Sequence, residues 1–263
     1  MRLYLEVARL SYRRNTRYGV ANVAGLATNG FFGLLRSYVF IALYTNREVA
    51  EGYDLRDALT YVWATQALIM PVYLWYWDEI AQTIRTGDVT SDFSKPFNYF
   101  GYWLSRDLGR AVYHLLFRWA PTIGLGLLFF RIELPTTPVA WLLFAVSLLM
   151  AIMLSFCIRF MINIGTFWTT DVRGLSGVTL LFVNFLSGFL IPVEFFPPAL
   201  RQVAESLPFV GMISIPMNLF LQRFEGAAAL GLLAKQALWL GVFVLAAHLV
   251  LSAASRKVIV QGG

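Results

Sequence analysis

The sequence predicts an all-α, polytopic membrane protein, and its composition and hydropathy together support this fold class. Of the 263 residues, 58% are apolar and only 14% are charged, and the mean hydropathy is +0.64. A soluble domain carries about 25% charged residues and avoids large exposed apolar patches. Runs of about ten residues with alternating polarity, which mark membrane β-barrels, are absent from the sequence. These observations exclude a soluble enzyme, a disordered chain and a disulfide scaffold.

Six segments are long and apolar enough to cross a bilayer, since a membrane helix needs about 20 apolar residues. They are about 22–44, 58–77, 111–130, 139–160, 175–191 and 230–252. On this assignment 13 Lys and Arg residues lie on the side of the N-terminus, and five or six lie on the other side. Because cytoplasmic loops retain Lys and Arg, both termini are predicted to be cytoplasmic. The whole chain, 1–263, is expected to form a single membrane domain.

The N-terminal arm, 1–20, is predicted to be a basic amphipathic helix. Leu3, Val7 and Leu10 fall on one helical face. A second face, rotated by about 100°, carries mostly cations; its residues are Arg2, Glu6, Arg9 and Arg13. Such a helix lies in the membrane interface, where its arginines meet anionic headgroups. Two interpretations stay open: a topology anchor, or an elbow helix that contacts a cytoplasmic partner.

The segment 78–110, after the second predicted span, holds nine of the chain's 36 charges. It is too polar for lipid and too short for a separate domain. Gly87 predicts a turn and Lys95, which precedes a proline, predicts a helix stop. A short helix is therefore expected at about 77–85, within either a solvated loop or a docking element. The charges best placed for docking are Asp78, Glu79, Arg85 and Asp88.

The segment 192–229 holds half of the chain's ten prolines and yet stays apolar. Proline breaks a spanning helix, and irregular backbone at membrane depth must be covered by protein. Two short helices that re-enter the outer leaflet fit both facts, and a plain periplasmic loop is the alternative. The residues that mark this re-entrant segment are Pro192, Glu194, Pro197, Pro198 and Pro208.

Polar residues inside the predicted spans are few. Arg36 and Arg118 are expected to face protein or water, because a charge at the bilayer centre costs about 2.5–3.5 kcal/mol. No acidic residue is expected deep in a span, which disfavours a proton- or sodium-coupled carrier. Hydrogen bonds between helices are expected from Asn163, Thr166, Thr169, Thr170 and Asn184. An aromatic belt at the membrane interface is expected from Tyr73, Trp75, Tyr76 and Trp77.

Together these features resemble the ABC-2 type permeases, the membrane subunits of ATP-binding-cassette exporters. Three segments carry the likeness to a bacterial branch of that family, and the resemblance spans the whole chain. The segments are IRTGDVTSDFSKPFNYFG at 84–101, SGFLIPVEFFPPALRQVAESLPF at 187–209 and VIVQGG at 258–263.

The resemblance implies a non-catalytic subunit, in the bacterial inner membrane, that exports a drug, lipid, peptide or glycoconjugate. The chain lacks the G-x-x-x-x-G-K-[ST] phosphate-binding loop. No cofactor is expected in this chain, and ATP and Mg would be bound by two partner ATPase subunits. The coupling helix would lie within 77–95, with Arg9 and Arg13 of the arm beside the ATPase. A second permease, the same or a sister chain, would complete a pathway lined by the second and fifth spans.

The residues alone leave two other functions open. A membrane-embedded lipid-modifying enzyme would need a cluster of His, Asp or Glu at one membrane face. The nearest such group is Asp78, Glu79, Asp88 and Asp92. An ion-coupled secondary transporter would need a buried acid. Metal and nucleic-acid binding are not expected, since the chain has one cysteine and two distant histidines, whereas membrane lipids are expected partners.

Overall fold

The computed structural model describes residues 2–17, 19–46, 48–169 and 171–261, of which 258–261 are described by their backbone alone. Within these residues the chain forms helices and no β-strand, which confirms the all-α prediction. The helices are α1 (Arg2–Thr16), α2 (Gly19–Tyr44), α3 (Leu55–Leu68), α4 (Glu79–Thr86), α5 (Val89–Ser94), α6 (Tyr99–His114), α7 (Ala120–Phe130), α8 (Pro138–Ile164), α9 (Arg173–Leu186), α10 (Pro198–Ser206), α11 (Ser214–Phe220) and α12 (Gly226–Gln261).

Four continuous helices in the described residues are long and apolar enough to cross a membrane. They are Gly19–Asn46, Tyr99–Phe130, Pro138–Phe167 and Gly226–Lys257. The second of these joins α6 to α7 through a π-helical turn, Leu115–Trp119. These helices correspond to the first, third, fourth and sixth predicted spans, and they place the chain among multi-pass membrane proteins.

The other two predicted spans correspond to α3 and α9, which are shorter. α3 widens into a π-helical turn, Ile69–Tyr73, because Pro71 has no backbone N–H to continue the α-helical pattern. Residues 58–68 of α3 are all buried, so this helix presents no free face to a pathway over that length. α9 has 14 residues and leaves much of its apolar surface exposed. The count of six spans therefore stays a prediction.

α1 forms as predicted and lies along α6. A Cβ atom on Gly109 of α6 would overlap the backbone of Ala8, so only glycine permits this close approach. The Ser11 hydroxyl donates a hydrogen bond to the Arg106 carbonyl at 2.6 Å. The ring of Tyr12 meets that of Tyr113 edge to face, with the ring centroids 5.9 Å apart. The arm is therefore anchored to the bundle along much of its length.

The face of α1 that packs on α6 differs from the predicted apolar face. Val7 is buried, but Leu3 and Leu10 are 48% and 61% exposed. The packed face instead holds Tyr4 and Ala8, since small and hydrogen-bonding side chains suit the approach of two backbones. Leu3 and Leu10 are free to contact lipid, which agrees with an interfacial helix.

α4 and α5 occupy the polar segment after α3. The predicted short helix is α4, and it ends at Gly87, whose φ of +84° suits glycine. α5 ends at Lys95, as the following proline predicts. Asn98 then caps α6, since its side chain accepts a hydrogen bond from the Gly101 N–H at 2.7 Å. Residues 99–110, predicted as part of the loop, are thus the first turns of α6.

The bundle has two different ends. We call the end that carries α1, α4, α5 and the start of α6 the charged end. The opposite end carries the segment 187–225, which contains the two short helices α10 and α11. All seven residues of α11 are buried, against α8, α3 and α12. The two short helices form as the prolines predict, while their depth in a membrane stays a prediction.

Candidate functional site

Asn163, near the end of α8, holds the first turn of α4. Its side-chain oxygen accepts a hydrogen bond from the Ala81 N–H at 2.9 Å, and its nitrogen donates to the Trp77 and Arg159 carbonyls, both at 2.8 Å. N–H groups in the first turn of a helix have no partner within that helix. By supplying one, Asn163 fixes α4 to α8, and its predicted interhelical hydrogen bond is confirmed.

A buried ion-pair cluster joins α6 to α8. The two oxygens of Asp107 accept hydrogen bonds from the two terminal nitrogens of Arg159, at 3.1 and 2.9 Å. Arg110, one turn further along α6, donates to the same carboxylate at 2.9 Å. A bidentate pair of this kind is strong and directional. Three charges are therefore fixed in one geometry at the point where the two helices meet.

Arg110 also connects this cluster to the end of α3. Its guanidinium donates to the carbonyls of Met70 and Pro71, which lie in the π-helical turn after α3. The last four carbonyls of a helix lack partners within it, so an arginine here satisfies groups that would otherwise be unpaired. Asp107, Arg110 and Arg159 thus connect three helices.

Tyr73, the last residue of the π-helical turn, packs its ring against the ion-pair cluster. Its φ is +63°, a left-handed conformation that costs a non-glycine residue about 1–3 kcal/mol. Its ring lies 4.4 Å from the Arg110 guanidinium and 4.9 Å from that of Arg159. Trp77 lies 5.3 Å from Arg159. Cation–π contacts pack these two partly buried rings against the cluster, whereas Trp75 is exposed, and the aromatic belt stays a prediction.

Glu79 joins α4 to α1 and α6. Its carboxylate lies 3.2 Å from the Arg14 guanidinium of α1 and 2.8 Å from that of Arg106 in α6. The Arg106 guanidinium also stacks 4.5 Å from the Trp103 ring. Glu79 was predicted to dock a partner, but in the structure it binds residues of its own chain. Sequence spacing gave no sign of this, since the three residues are far apart along the chain.

The other docking candidates on α4 lie at its outer side. The Asp78 carboxylate accepts hydrogen bonds from Tyr76 at 3.1 Å and Gln82 at 3.0 Å, and it lies 3.5 Å from Arg85. The Asp88 carboxylate accepts from the Thr86 hydroxyl at 2.7 Å. Arg85 and Asp88 remain exposed. These contacts stay within α4 and its flanking residues, so the outer side of α4 is free to meet a partner.

The docking candidates on α1 are separate from α4. Arg9 lies 3.7 Å from Glu6 on its own helix, and both residues are exposed. Arg13 is also exposed. The structure therefore brings Asp78 and Arg85 together at the outer side of α4, places Glu79 against α1 and α6, and leaves Arg9 and Arg13 exposed on α1.

The acidic residues of the charged end do not converge. Asp92 pairs with Lys95 at 2.8 Å, and Asp78, Glu79 and Asp88 each contact different groups. Among the described residues, no three His, Cys, Asp or Glu side chains come together as a metal site.

Asp107 corrects one prediction. It was placed in a loop, but it is buried inside the long apolar helix Tyr99–Phe130, so an acidic residue does lie within a candidate span. Its partner Arg159 lies in α8, within the fourth predicted span. The sequence did hold a signal: Trp103, Asp107 and Arg110 share one helical face, which argues for a helix rather than a loop.

None of the other predicted interhelical hydrogen bonds is formed among the described residues. Thr169 bonds only to the Gly165 carbonyl of its own turn, and the Thr166 hydroxyl is buried without a partner among the described residues. The side chain of Asn184 makes no hydrogen bond within the part of the chain that the structure describes. Thr170 lies outside the described residues, as do Gly262 and Gly263 of the tail segment.

A cavity of about 320 Å³ lies beside the ion-pair cluster, between α1, α2, α6 and the turn after α3. Four arginines line it: Arg14, Arg106, Arg110 and Arg118. Two acids line it as well, namely Glu79 and Asp107. As predicted, Arg118 faces protein, since it donates to the Asn22 carbonyl at 2.8 Å.

At the opposite end, charged side chains bind backbone and tyrosine groups. Arg36 donates to the carbonyls of Phe189 and Leu190, at 2.8 and 2.9 Å, just after α9. Glu194 accepts hydrogen bonds from the Tyr53 hydroxyl at 3.1 Å and from Asn218 at 3.0 Å. Burial, and secondarily the Glu194 charge, raise the pKa of Tyr53 well above its ordinary value, so Tyr53 stays a donor.

The prolines of the re-entrant segment take two kinds of position. Pro192 and Pro208 are buried, whereas Pro197 and Pro198 are exposed. Pro198 is the first residue of α10, where its missing N–H needs no partner within the helix. These prolines delimit the short helices of the segment.

The sequence was compared with known proteins. A family model described as "ABC-2 family transporter protein" matches residues 33–262. A search of curated proteins finds no significant match. The matched range begins within α2, so it includes the whole ion-pair cluster and α4, and it leaves α1 outside.

Proposed function

This chain belongs to the ABC-2 transporter family, and we propose that it is the permease subunit of an ATP-driven exporter. As a member of this family, the chain is a multi-pass membrane component of a transporter. Two separate ATPase subunits, which bind ATP and Mg, would supply the energy. The observation that supports this proposal is α4, a short helix fixed on its inner side to three other helices and free on its outer side.

α4 has the properties of a coupling helix. Ile80 and Ala81 are buried on its inner side, while Gln82, Arg85 and Thr86 are exposed. A displacement of α4 would act on α8 through Asn163 and on α6 through Glu79. These contacts link α4 directly to α8 and α6. Movement of a docked ATPase against α4 would therefore shift these helices within the permease.

We further propose that the charged end faces the cytoplasm of a bacterial cell. α1, α4 and the end of α12 share this end, since Lys257 of α12 donates to the Phe167 carbonyl, just beyond α8, at 3.4 Å. The N-terminal arm is rich in arginine, which favours retention on the cytoplasmic side. Both termini would then be cytoplasmic, in the inner membrane, beside the ATPases.

We propose that the segment 187–225 re-enters the membrane from the outer side. The Gly211 carbonyl accepts a hydrogen bond from Gln236 at 2.7 Å, and Gln236 also donates to Ser147 of α8 at 2.9 Å. Gln236 lies ten residues beyond Gly226, which is about 15 Å along α12. This is about half the thickness of the hydrocarbon core. A re-entrant segment requires polar side chains that form hydrogen bonds with its irregular backbone at such a depth.

A second permease would complete the pathway. α2 and α9 leave large apolar side chains exposed, among them Phe31 and Phe32 of α2 and Leu181 and Phe182 of α9. We propose that part of this surface contacts the same or a sister chain and that the substrate, an amphipathic drug, lipid, peptide or glycoconjugate, passes between the two. α3 is enclosed, so α9 is the better candidate for the lining.

The test reconstitutes the permease with an ATPase encoded beside it and measures complex assembly and ATP-dependent efflux of fluorescent drugs and lipids from vesicles. Reversing both exposed charges on the outer side of α4, Arg85→Glu with Asp88→Lys, should abolish assembly or efflux. Reversing Arg201→Glu on α10, at the opposite end, should leave both unchanged.

Three results would contradict the proposal. The docking assignment is wrong if the doubly reversed variant assembles and transports normally. Catalysis on lipid by the chain alone, without nucleotide, would favour a membrane enzyme. Transport driven by a proton gradient in vesicles without ATP would favour an ion-coupled carrier, for which Asp107 would be the acid to examine.

A further inference from the structure

The cavity beside the ion-pair cluster has an excess of positive charge. Four arginines and two acids line it. Asp107 is occupied by Arg110 and Arg159, and Glu79 is occupied by Arg14 and Arg106. Each acid is therefore paired with two cations. Neither acid is available to neutralise the remaining positive charge of the cavity.

Arg118 supplies much of this excess. It forms no ion pair with any acid among the described residues, and its bonds go to the Asn22 carbonyl at 2.8 Å and the Asn29 side-chain oxygen at 3.4 Å. The side chain is only 6% exposed. A buried charge without an opposite charge is costly, so a guanidinium in this position favours an anionic ligand.

Buried polar atoms without a hydrogen-bond partner among the described residues belong to three residues that line the same cavity. They are Nε of Arg118 and Nδ1 of His114, which is 7% exposed, and the side-chain oxygen of Asn22. Most buried polar groups in proteins are hydrogen-bonded, and exceptions call for a missing partner. Two of these three atoms are potential donors beside an excess of positive charge, which is the arrangement that oxygens of an anion would satisfy.

The cavity lies near the start of a helix that is longer than the hydrocarbon core is thick. The helix Tyr99–Phe130 has 32 residues, so it is about 48 Å long and exceeds the hydrocarbon core of about 30 Å. The start of this helix carries Arg106, Asp107 and Arg110. Arg118 follows within the next three turns and meets the first turn of α2 at Asn22.

Apolar side chains are exposed next to the cavity. On the first turns of α2 they are Val20 and Val23, and on the facing part of α6 and its π-helical turn they are Val112, Leu116 and Phe117. A polar, cationic cavity beside exposed apolar residues matches the two parts of a phospholipid, the anionic headgroup and the acyl chains.

We propose that this cavity binds the phosphate headgroup of an anionic phospholipid. Arg118 and Nδ1 of His114 donate to phosphate oxygens, and the acyl chains lie along the exposed residues of α2 and α6. The bound lipid braces α1 against α2 and α6, beside the coupling helix. It is held rather than transported, so this inference does not depend on the proposed export function.

The test uses the purified full-length chain without any ATPase, exchanged into vesicles with equal amounts of phosphatidylglycerol and phosphatidylethanolamine. Native mass spectrometry then counts the retained lipids. Wild type should retain phosphatidylglycerol preferentially. Arg118→Gln should weaken its retention about tenfold, as expected when a charged hydrogen bond is lost. The matched control, Arg13→Gln, removes an exposed arginine on α1 and should leave retention unchanged.

A second variant keeps the proposal testable if Arg118→Gln fails to fold. His114→Leu removes the Nδ1 donor without changing the arginines, and it should lower retention while the chain stays monodisperse in detergent. Equal retention of both lipids by wild type, or an equal loss in Arg13→Gln, would overturn the proposal. A third arm adds inorganic phosphate alone. Saturable binding of phosphate that displaces the lipid would show that the site takes a soluble anion, which would also overturn it.

Discussion

The two ends of the bundle use buried polar and charged residues differently. At the charged end, Asp107 and Glu79 bind arginines from other helices, so side chains contact side chains across three interfaces. At the opposite end, where the Arg56–Glu133 pair is exposed, Arg36 and the uncharged Gln236 bind backbone carbonyls at points where the chain leaves regular helix. Pairs between helices can transmit a displacement, whereas capping bonds stabilise an irregular segment. This difference suggests that coupling belongs to the charged end and closure of the outer side to the other.

The largest loss of stability is expected when the buried ion-pair cluster is disrupted. Asp107→Ala leaves two buried arginines without their shared partner and should lower stability by about 3–5 kcal/mol. The matched control is Glu133→Ala, which removes an exposed partner of Arg56 at the opposite end and should cost at most about 1 kcal/mol. Thermal unfolding in detergent measures both. Equal shifts would show that the cluster does not stabilise the charged end.

The second prediction concerns the stability of the segment 187–225 at the opposite end. Gln236→Leu removes bonds to the carbonyls of Ser147 and Gly211 and leaves them buried, so it should lower stability by about 1–3 kcal/mol. Limited proteolysis should then cut the segment 187–225 sooner. Gln202→Leu, on the exposed side of α10, serves as the control and should change neither measurement. Unchanged proteolysis of Gln236→Leu would mean that apolar packing alone holds the segment.

An effect of similar size is expected where α1 meets α6. Gly109→Ala places a methyl group against the Ala8 backbone and should cost about 1–3 kcal/mol or release α1. Gly124→Ala, in the same continuous helix, meets nothing within 4 Å and should be neutral or slightly stabilising. Protease sensitivity at the arm separates the two variants. A protected arm in Gly109→Ala would contradict the close packing.

The smallest effect on stability is expected for Glu79. Glu79→Gln weakens two half-exposed ion pairs, with Arg14 and Arg106, and should cost only about 0.2–1 kcal/mol. If α4 transmits force through this residue, ATP-driven transport should fall although the fold is intact. Arg9→Gln, which loses one exposed pair within α1, is the control. A loss of stability as large as that of Asp107→Ala would contradict the ranking of the two sites.

Local signals in the sequence predicted much of the fold. Gly87 located the end of α4, Lys95 marked the helix stop that ends α5, and the prolines predicted the short helices, because caps and breaks depend on nearby residues. The site depended on distant contacts. Asp107 was assigned to a loop because the charges around it looked solvated, and only its pairing with Arg159 of α8 explains its burial.

Two contacts were not identified from the sequence for the same reason. The apolar periodicity of α1 grouped Leu3 and Leu10 on one face, but it did not show which residues pack on α6 at the close approach to Gly109. Asn163 was expected to bond between helices, yet its partner, the first turn of α4, lies about 80 positions away in the chain. Periodicity shows which side chains share a face and cannot show which backbone meets it.

The central claim is that α4 drives the permease through its bond to α8, and Asn163→Leu tests it most directly. In the reconstituted complex with its ATPase, this variant removes the bond between Asn163 and the Ala81 N–H and leaves the outer side of α4 unchanged. We expect normal assembly and basal ATP hydrolysis, with transport and substrate-stimulated hydrolysis lost. Transport at the wild-type rate by a folded Asn163→Leu complex would contradict the claim.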